Sequence, residues 1–186
     1  ARFEGRCIRH QSRPWDLMAW SFRFDFDNRI PVTKSVPQLQ QEAAAVLALG
    51  GGFQAYFQQK EDGSFSRWHI NIMEELAQFC RERQPFCEEA QAVPQIALFY
   101  SGTAFYRKTE RLFAPWEGEL EAVQGILQSL LDSQNSVEIL MEHHLQEKMR
   151  EYPLIVIPEW EYLKENMVEK FKNYVKEGGS LLVIGS

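Results

Sequence analysis

Carboxylates and aromatic side chains are close together in the first third of the chain, and their types suit the chemistry of sugars. Hydrolysis of a glycosidic bond needs two flanking carboxyl groups, one of them a general acid with a raised pKa. Sugars also present apolar C–H faces that stack on aromatic rings. The candidate acids are Glu4, Asp16, Asp25 and Asp27, and the candidate contact residues are Trp15, Trp20, Phe22, Tyr56 and Gln58. Spacing alone pairs none of the acids, and for Glu4 and Asp16 a salt bridge to a nearby arginine is the commoner role.

Other catalytic and ligand-binding patterns are missing from the sequence. Gly50-Gly51-Gly52 precedes a predicted strand, whereas phosphate-binding glycine loops open a helix. No Gly-x-Ser-x-Gly or Gly-x-Cys-x-Gly elbow occurs. His143 and His144 are adjacent, and two zinc ligands on one helix would be four residues apart. The sequence therefore predicts neither a metal nor an organic cofactor.

Composition narrows the class of protein. The 186 residues suffice for one domain or two small ones. The net charge of −6 and the lack of a basic stripe argue against a nucleic-acid or anionic-membrane partner. No apolar run approaches the roughly 18 residues of a membrane span, and no signal-peptide pattern opens the sequence. Three cysteines are too few and too odd in number for a disulfide framework, so free thiols are expected.

The aromatic stretch Pro14–Phe22 must position several of the candidate side chains. Its apolar, aromatic composition is typical of a buried strand, and a core strand with aromatic neighbours is the simplest interpretation. Residues 1–13 before it are polar and predict an opening loop or the end of a strand. Residues 23–34 after it predict a charged loop.

A helix, a strand and a second helix follow. Ser35 and Gln38 fit a capping box with Pro37 in the first turn, and Gly50-Gly51-Gly52 ends the helix. Residues 53–57 predict a second buried strand, and residues 68–83 an amphipathic helix that Pro85 interrupts. The βαβα order favours a parallel arrangement. Two strands cannot make a stable sheet, so we expect them to join further strands in the second half or upstream.

Strand and helix alternate four times after residue 93, which is the pattern of a doubly wound, flavodoxin-like sheet. Right-handed crossovers predict the strand order 2-1-3-4. The last helix should turn Met167, Phe171, Tyr174 and Val175 inward. The predicted strands are Gln95–Tyr100, Val137–Leu140, Pro153–Pro158 and Ser180–Ile184, and the predicted helices cover about 120–131, 142–150 and 162–176.

The residues of both halves also resemble known families. Phe3–Arg6, Arg13–Phe22, Gln38–Ala44 and Gly50–Tyr56 resemble the last quarter of a (β/α)8-barrel glycoside hydrolase of the alpha-L-fucosidase-like bacterial type. Pro94–Ser186 resembles the trimerisation domain of family 42 beta-galactosidases, which has a class I glutamine amidotransferase-like fold. The matching motifs there are Pro153–Pro158 and Glu177–Leu182. The resemblance implies an α/β protein with the end of a barrel in 1–91 and a flavodoxin-like domain in 92–186, truncated at both ends.

This resemblance implies roles for particular residues. Trp20, Phe22, Tyr56 and Gln58 would line the sugar pocket at the C-terminal ends of the last two barrel strands. Glu4, in the loop after the preceding strand, would lie near the family's variable acid/base, while the nucleophilic aspartate would lie upstream of this chain. Asp16, at the other end of its strand, would be structural. The second half contains no cysteine, so glutamine hydrolysis is not expected.

The sequence is compatible with two functions. The resemblance implies a fragment of a glycoside hydrolase that acts on a carbohydrate, such as an alpha-fucoside, and is inactive by itself. The alternative is a non-catalytic module whose second half mediates homo-oligomerisation. Near Ser101-Gly102, its contact aromatics would be Phe105, Tyr106, Phe113 and Trp116, unless these simply pack over the first helix. The sequence does not indicate the compartment.

Overall fold

The computed structural model describes residues 1–11, 14–25, 30–88, 90–109 and 120–185. Asp27, Phe113 and Trp116, which the sequence analysis singled out, lie outside these ranges. The chain divides into two compact units, Ala1–Gln91 and Ala92–Ser186. Each unit combines helices with parallel strands, so the predicted α/β class is confirmed. Within the described ranges, no helix is long and apolar enough to cross a bilayer.

The first unit is built on a pair of parallel strands. Its elements are α1 (Arg2–Ile8), β1 (Asp16–Trp20), β2 (Phe22–Asp25), β3 (Ile30–Thr33), α2 (Val36–Leu47), β4 (Gly52–Tyr56) and α3 (Arg67–Cys87). Strands β1 and β4 are parallel, with Asp16 opposite Gly52 and Trp20 opposite Tyr56. Strands β2 and β3 form a separate antiparallel pair, in which Phe22 lies opposite Thr33.

Three expectations for this unit are wrong. The opening residues contain helix α1 instead of a loop or strand end, and the expected charged loop at 23–34 contains β2 and β3. Helix α3 continues through Pro85 to Cys87. Pro85 lies in the last turn, where its missing N–H and its ring disturb only the bond to the carbonyl one turn earlier, so the helix tolerates it.

Strands β1 and β4 are buried on one face only, which corrects the expectation of two fully buried strands. Phe53 and Ala55 pack against the apolar cluster formed by α2 and α3. On the opposite face, Met18 is 55% exposed, Trp20 51% and Tyr56 47%. Successive side chains of a strand point to opposite faces, and the helices cover one of the two. The aromatic side chains at the strand ends therefore meet solvent.

Helix α2 has the predicted termini. The Ser35 N–H donates to Gln38 Oε1 at 2.8 Å, and Pro37 lies in the first turn. After the helix, the backbone of Gly50 adopts a φ of +80°, a left-handed conformation that glycine adopts without a Cβ clash and that commonly ends helices. Leu39 and Ala43 are fully buried against α3 and β4. This helix fixes the position of the β1–β4 pair.

The second unit is a four-stranded parallel sheet in the order β6-β5-β7-β8. This is the order 2-1-3-4 that right-handed crossovers predict. Its elements are β5 (Ile96–Tyr100), α4 (Gly102–Lys108), α5 (Glu121–Asp132), β6 (Val137–Met141), α6 (Glu142–Lys148), a 3-10 turn (Met149–Glu151), β7 (Leu154–Ile157), α7 (Glu165–Lys176) and β8 (Ser180–Val183).

Helices α6 and α7 cover one face of this sheet. Phe171 of α7 meets the Phe99 ring edge-on, with centroids 5.3 Å apart. Val175 was expected to point inward with Phe171, but it is 46% exposed, so that expectation is wrong. The buried members of this core are Ala97, Phe99, Leu140, Leu145, Met149, Tyr152, Ile155, Ile157, Met167, Phe171 and Tyr174.

Candidate functional site

Three of the four predicted sugar-contacting residues form one aromatic cluster. Trp20 and Phe22 are stacked, with centroids 5.4 Å apart and ring planes at 23°. Phe22 also lies 6.0 Å from Tyr56 in a tilted arrangement. Phe22 is only 8% exposed and supports the two half-exposed rings. The cluster thus presents Trp20 and Tyr56 to solvent at the C-terminal ends of β1 and β4.

The backbone around Ser21 holds this cluster in place. The buried Ser21 donates its N–H to the Tyr56 carbonyl oxygen at 2.9 Å. Its own carbonyl oxygen accepts the Lys34 N–H at 2.6 Å. These two bonds join the end of β1 to the end of β4 and to Lys34, two residues before α2. Trp20 and Phe22, two positions apart, therefore project to the same side. Gln58, the fourth predicted contact residue, follows β4 by two residues and is exposed.

Two members of the cluster line an open groove of about 660 Å³. Such a volume is typical of small-molecule sites. The groove runs along α2 from Gln38 to Ala45 and reaches α1 and β2. Its lining residues are Ala1, Arg2, Trp20, Phe22, Arg23, Lys34, Gln38, Gln41, Glu42 and Ala45.

Glu4, the predicted acid/base, lies in the first turn of α1 and not in a loop, which corrects its expected placement. Its carboxylate is 2.7 Å from the Ala1 amino group. Burial raises the pKa of Glu4, but the hydrogen bond from that amino group, a hydrogen bond from the Glu4 N–H and the positive charge of the amino group together outweigh it, so the pKa is lowered. In this arrangement the carboxyl group is ionised at neutral pH, and it can accept a proton more readily than it can donate one.

Glu42 is a second carboxylate at this site, which the sequence analysis missed. It pairs with Lys34 at 2.7 Å, and the two side chains are 32% and 15% exposed. Glu42 and Glu4 both line a cavity of about 360 Å³ beside the groove. The second oxygen of Glu42 is buried with no hydrogen-bond partner in the described part of the chain. No sequence signal marks Glu42, because its position on an amphipathic helix is equally typical of a surface residue.

Asp16 lies at the other end of β1 from the aromatic cluster. It accepts a hydrogen bond from Gln54 Nε2 at 2.6 Å. Trp20 lies four residues further along the extended strand, which corresponds to about 13 Å. The structure therefore does not bring Asp16 to the cluster, and its bond to Gln54 links β1 to β4.

The second unit contains a polar cluster where β5 and β6 end. Glu142 Oε1 accepts hydrogen bonds from Ser101 Oγ at 2.9 Å and from the Thr103 N–H at 3.1 Å. Its Oε2 accepts the Gly102 N–H at 3.1 Å. Burial raises the pKa of Glu142, but these hydrogen bonds and one from its own N–H outweigh it, so the pKa is lowered. The first backbone N–H groups of α4 are thus satisfied by a carboxylate of the chain itself.

The described residues contain no metal-binding cluster: no three His, Cys, Asp or Glu side chains there are close enough together to hold an ion. The rings of His143 and His144 lie against each other, 3.9 Å between centroids. Cys7, Cys80 and Cys87 are free thiols. Burial, together with the charge of Glu4, raises the pKa of Cys7 to about 12.

Comparison with known proteins gives a fold but no family. No family model matches the sequence, and no curated protein matches it. Among solved structures, the alpha-L-fucosidase isoenzyme 2 from Paenibacillus thiaminolyticus superposes with a TM-score of 0.76 at 18% identity, over 97% of this chain and 26% of the fucosidase.

Beta-galactosidases are also similar. A GH42 beta-galactosidase from G. stearothermophilus gives a TM-score of 0.70 at 16% identity, over 98% of this chain and 29% of that protein. The beta-galactosidase from Bacillus circulans sp. alkalophilus gives 0.71 at 13% identity, with the same coverage of 98% and 29%. The chain thus has the fold of a segment of these enzymes and spans less than a third of their length.

Proposed function

We propose that the chain is the end of a glycoside hydrolase barrel followed by a flavodoxin-like domain similar to the beta-galactosidase trimerisation domain. The aromatic cluster of Trp20, Phe22 and Tyr56 carries this proposal. It lies at the C-terminal ends of two adjacent parallel strands, and (β/α)8 enzymes bind substrate at that end of their strands. The similar folds found among an alpha-L-fucosidase and two beta-galactosidases support the same function.

The half-covered sheet of the first unit supports the barrel part of the proposal. Parallel sheets are normally covered on both faces and have more than two strands. The solvent-facing side of β1 and β4 carries Met18, Trp20 and Tyr56, each about half exposed. In a barrel this side faces the interior, where further strands would cover Met18 and leave the strand ends open to substrate.

The residues would have distinct roles in the parent enzyme. Trp20 and Tyr56 stack on the apolar face of a sugar, and Phe22 holds both rings in place. Gln58 donates and accepts hydrogen bonds with sugar hydroxyls. Glu4 serves as the acid/base, and the nucleophilic carboxylate comes from a part of the parent upstream of Ala1. The reaction uses no metal or organic cofactor, and an alpha-fucoside is the substrate that the resemblance favours.

Enzyme assays test this proposal directly. The 186-residue chain should not hydrolyse nitrophenyl alpha-fucosides or beta-galactosides, because the nucleophilic carboxylate that a glycosidase needs beside the bond would come from the part of the parent upstream of Ala1. A longer protein that includes the residues encoded upstream of Ala1 should hydrolyse one of them, and Trp20→Ala should reduce its kcat/KM. Turnover by the 186-residue chain at enzymatic rates would contradict the proposed inactivity. A longer protein that lacks all glycosidase activity would contradict the proposed parent function.

A second candidate function is oligomerisation through the second unit. Strand β8 is an edge strand of its sheet, and Leu182 and Val183 are 46% and 64% exposed. Tyr106 of α4 is 67% exposed. An exposed apolar edge strand is prone to pair with another chain. Light scattering after gel filtration tests this: Val183→Lys should dissociate an oligomer, whereas the exposed control Val93→Lys should not. A wild-type monomer at all concentrations would exclude this function.

A further inference from the structure

We infer that the groove beside the aromatic cluster selects an acidic sugar, one that carries a carboxylate or a sulfate group. This inference rests on the proposed function, because it takes the groove to be part of a carbohydrate site. It adds the chemical class of the sugar, which neither the fold nor the aromatic cluster specifies.

The charge of the groove is opposite to that of the chain. The whole chain has a net charge of −6. The groove lining contains three cationic side chains, Arg2, Arg23 and Lys34, and one carboxylate, Glu42. The Lys34–Glu42 pair at 2.7 Å neutralises one of these cations. Arg23 adds a positive charge that no carboxylate in the described part of the chain pairs with, and this charge attracts an anionic ligand.

Arg23 is the residue that best suits recognition of an anion. It follows the buried Phe22 on β2, and its own side chain is exposed. Its guanidinium makes no hydrogen bond or ion pair within the described part of the chain. A guanidinium presents a planar fork of donors that binds carboxylate or sulfate through two parallel hydrogen bonds. An acidic substituent of a ligand in the groove can form both.

The remaining lining fits the ring of a sugar better than a bare ion. Trp20 is stacked on Phe22 and remains 51% exposed, so it offers an aromatic surface within the same groove. The exposed Gln41 of α2 supplies an amide that donates to and accepts from hydroxyl groups. A ligand with an apolar ring face, hydroxyl groups and one anionic substituent matches all three groups. A hexuronic acid has this combination.

A matched pair of ligands tests the inference. Methyl galacturonoside and methyl galactoside differ only in the carboxylate at C6. We expect the 186-residue chain to bind the galacturonoside about tenfold more tightly at low salt, the size of one good charged contact. Titration followed by ligand-observed NMR at constant ionic strength measures both affinities. The preference should shrink as salt is raised from 10 to 300 mM, because a partly exposed charge pair is screened (roughly 30 Å Debye length at 0.01 M, under 8 Å at 0.3 M).

Two arginine variants test which residue causes the preference for the acidic sugar. Arg23→Gln should remove most of the preference, so that the two sugars bind with nearly equal affinity. Arg67→Gln removes an exposed arginine at the start of α3, outside the groove, and should leave both affinities unchanged. Trp20→Ala should weaken the binding of both sugars. Circular dichroism should show that each variant is folded.

The outcomes separate the inference from the proposed function. Equal binding of the two sugars, or a preference that survives Arg23→Gln, would overturn the inference and leave the carbohydrate site in place. Absence of binding by either sugar would overturn the inference, whereas the proposed function is tested separately by the glycosidase activity of the longer protein. If sodium acetate competes as well as methyl galacturonoside and Trp20→Ala has no effect, the groove binds simple anions and the inference is wrong.

Discussion

Glu142 and Ser101 join the ends of two neighbouring strands through a hydrogen bond of 2.9 Å from the Ser101 hydroxyl to the Glu142 carboxylate. The same hydroxyl oxygen accepts the Ala104 N–H at 3.1 Å and so caps α4. The carboxylate also accepts the N–H groups of Gly102 and Thr103. A negative charge at the first turn of a helix is favourable because the free N–H groups there carry partial positive charge. Glu142, the first residue of α6 directly after β6, thus stabilises the connection between β5 and α4.

We predict that Glu142→Gln destabilises the second unit by about 1–2 kcal/mol, since hydrogen bonds to a charged group are worth more than neutral ones. Urea unfolding followed by circular dichroism measures the change. Glu147→Gln, an exposed glutamate on the same helix, is the matched control and should change stability by less than about 0.5 kcal/mol. Equal effects of the two substitutions would show that the charge of Glu142 does not contribute to the stability of the second unit.

The difference between wild type and Glu142→Gln should depend on pH. The pKa of Glu142 is lower in the folded chain than its usual value. The unfolded state therefore binds the proton more readily, and the charged carboxylate stabilises the fold above the unfolded pKa. This contribution is lost as the pH falls below about 5 and through the folded pKa. Unfolding curves at pH 7, 5 and 3 should show the two proteins converging at the lowest pH. A constant difference would contradict this assignment.

Gly51 is required for the packing of Trp15. A Cβ atom added at Gly51 would overlap the Trp15 indole, which also lies against Gly5. Overpacking of this kind costs about 1–3 kcal/mol, so Gly51→Ala should lower the stability of the first unit by that amount. Gly125→Ala is the control: it lies in α5 with open space around it, and should stabilise the second unit by up to about 1 kcal/mol. Thermal unfolding of both variants tests the pair.

The Tyr174 hydroxyl should contribute measurably to the second unit. This buried side chain donates to the Tyr152 carbonyl oxygen at 2.8 Å, and its ring lies against Gly179, where a Cβ would clash. Tyr174→Phe removes this hydrogen bond and the longer one to the Ser180 carbonyl oxygen at 3.3 Å, so we expect a loss of about 1 kcal/mol. Tyr106→Phe, at a site 67% exposed, should be close to neutral. A neutral Tyr174→Phe would mean that the hydroxyl has no net effect.

Cys7 should react slowly with alkylating reagents. Its pKa is raised to about 12, mainly because the thiol is buried and also because Glu4 is close. Only the thiolate reacts, so at pH 8 nearly all of the thiol is inert. Mass spectrometry of the iodoacetamide-treated chain should show Cys7 modified far more slowly than free cysteine, with a rate that still rises between pH 9 and 10. Labelling of Cys7 at the rate of free cysteine would show that the thiol is accessible and ionised.

The sequence predicted the elements that have strong local signals. Helix α2 has a capping pair at Ser35 and Gln38 and a glycine stop, and both ends are where these signals lie. The four strands of the second unit were visible as apolar runs between helices, and the parallel order followed from the handedness of crossovers. Capping residues, glycine stops and apolar runs were therefore sufficient to predict these helices and strands.

Elements without such signals were missed. Helix α1 has two arginines and a glycine among seven residues and no apolar periodicity. Strand β3 contains a proline, which usually argues against a strand and is tolerated at an edge. The positions of Glu42 in the groove and of Glu142 at α4 depend on contacts between distant segments. Such contacts are set by tertiary packing, so no spacing in the sequence reveals them.

The buried ring of Phe22 should matter for stability, and the exposed ring of Trp20 for binding. Phe22 is 8% exposed and contacts both Trp20 and Tyr56, so Phe22→Ala leaves a cavity between them. Such truncations cost about 3–5 kcal/mol in well-packed sites. Trp20 is half exposed, and Trp20→Ala should cost less than half as much while it weakens sugar binding. Phe86→Ala, at a site 83% exposed on α3, is the matched control and should be nearly neutral. Urea unfolding of the three variants measures the order, and a Phe22→Ala variant as stable as Phe86→Ala would contradict the role of Phe22 as the support of the cluster.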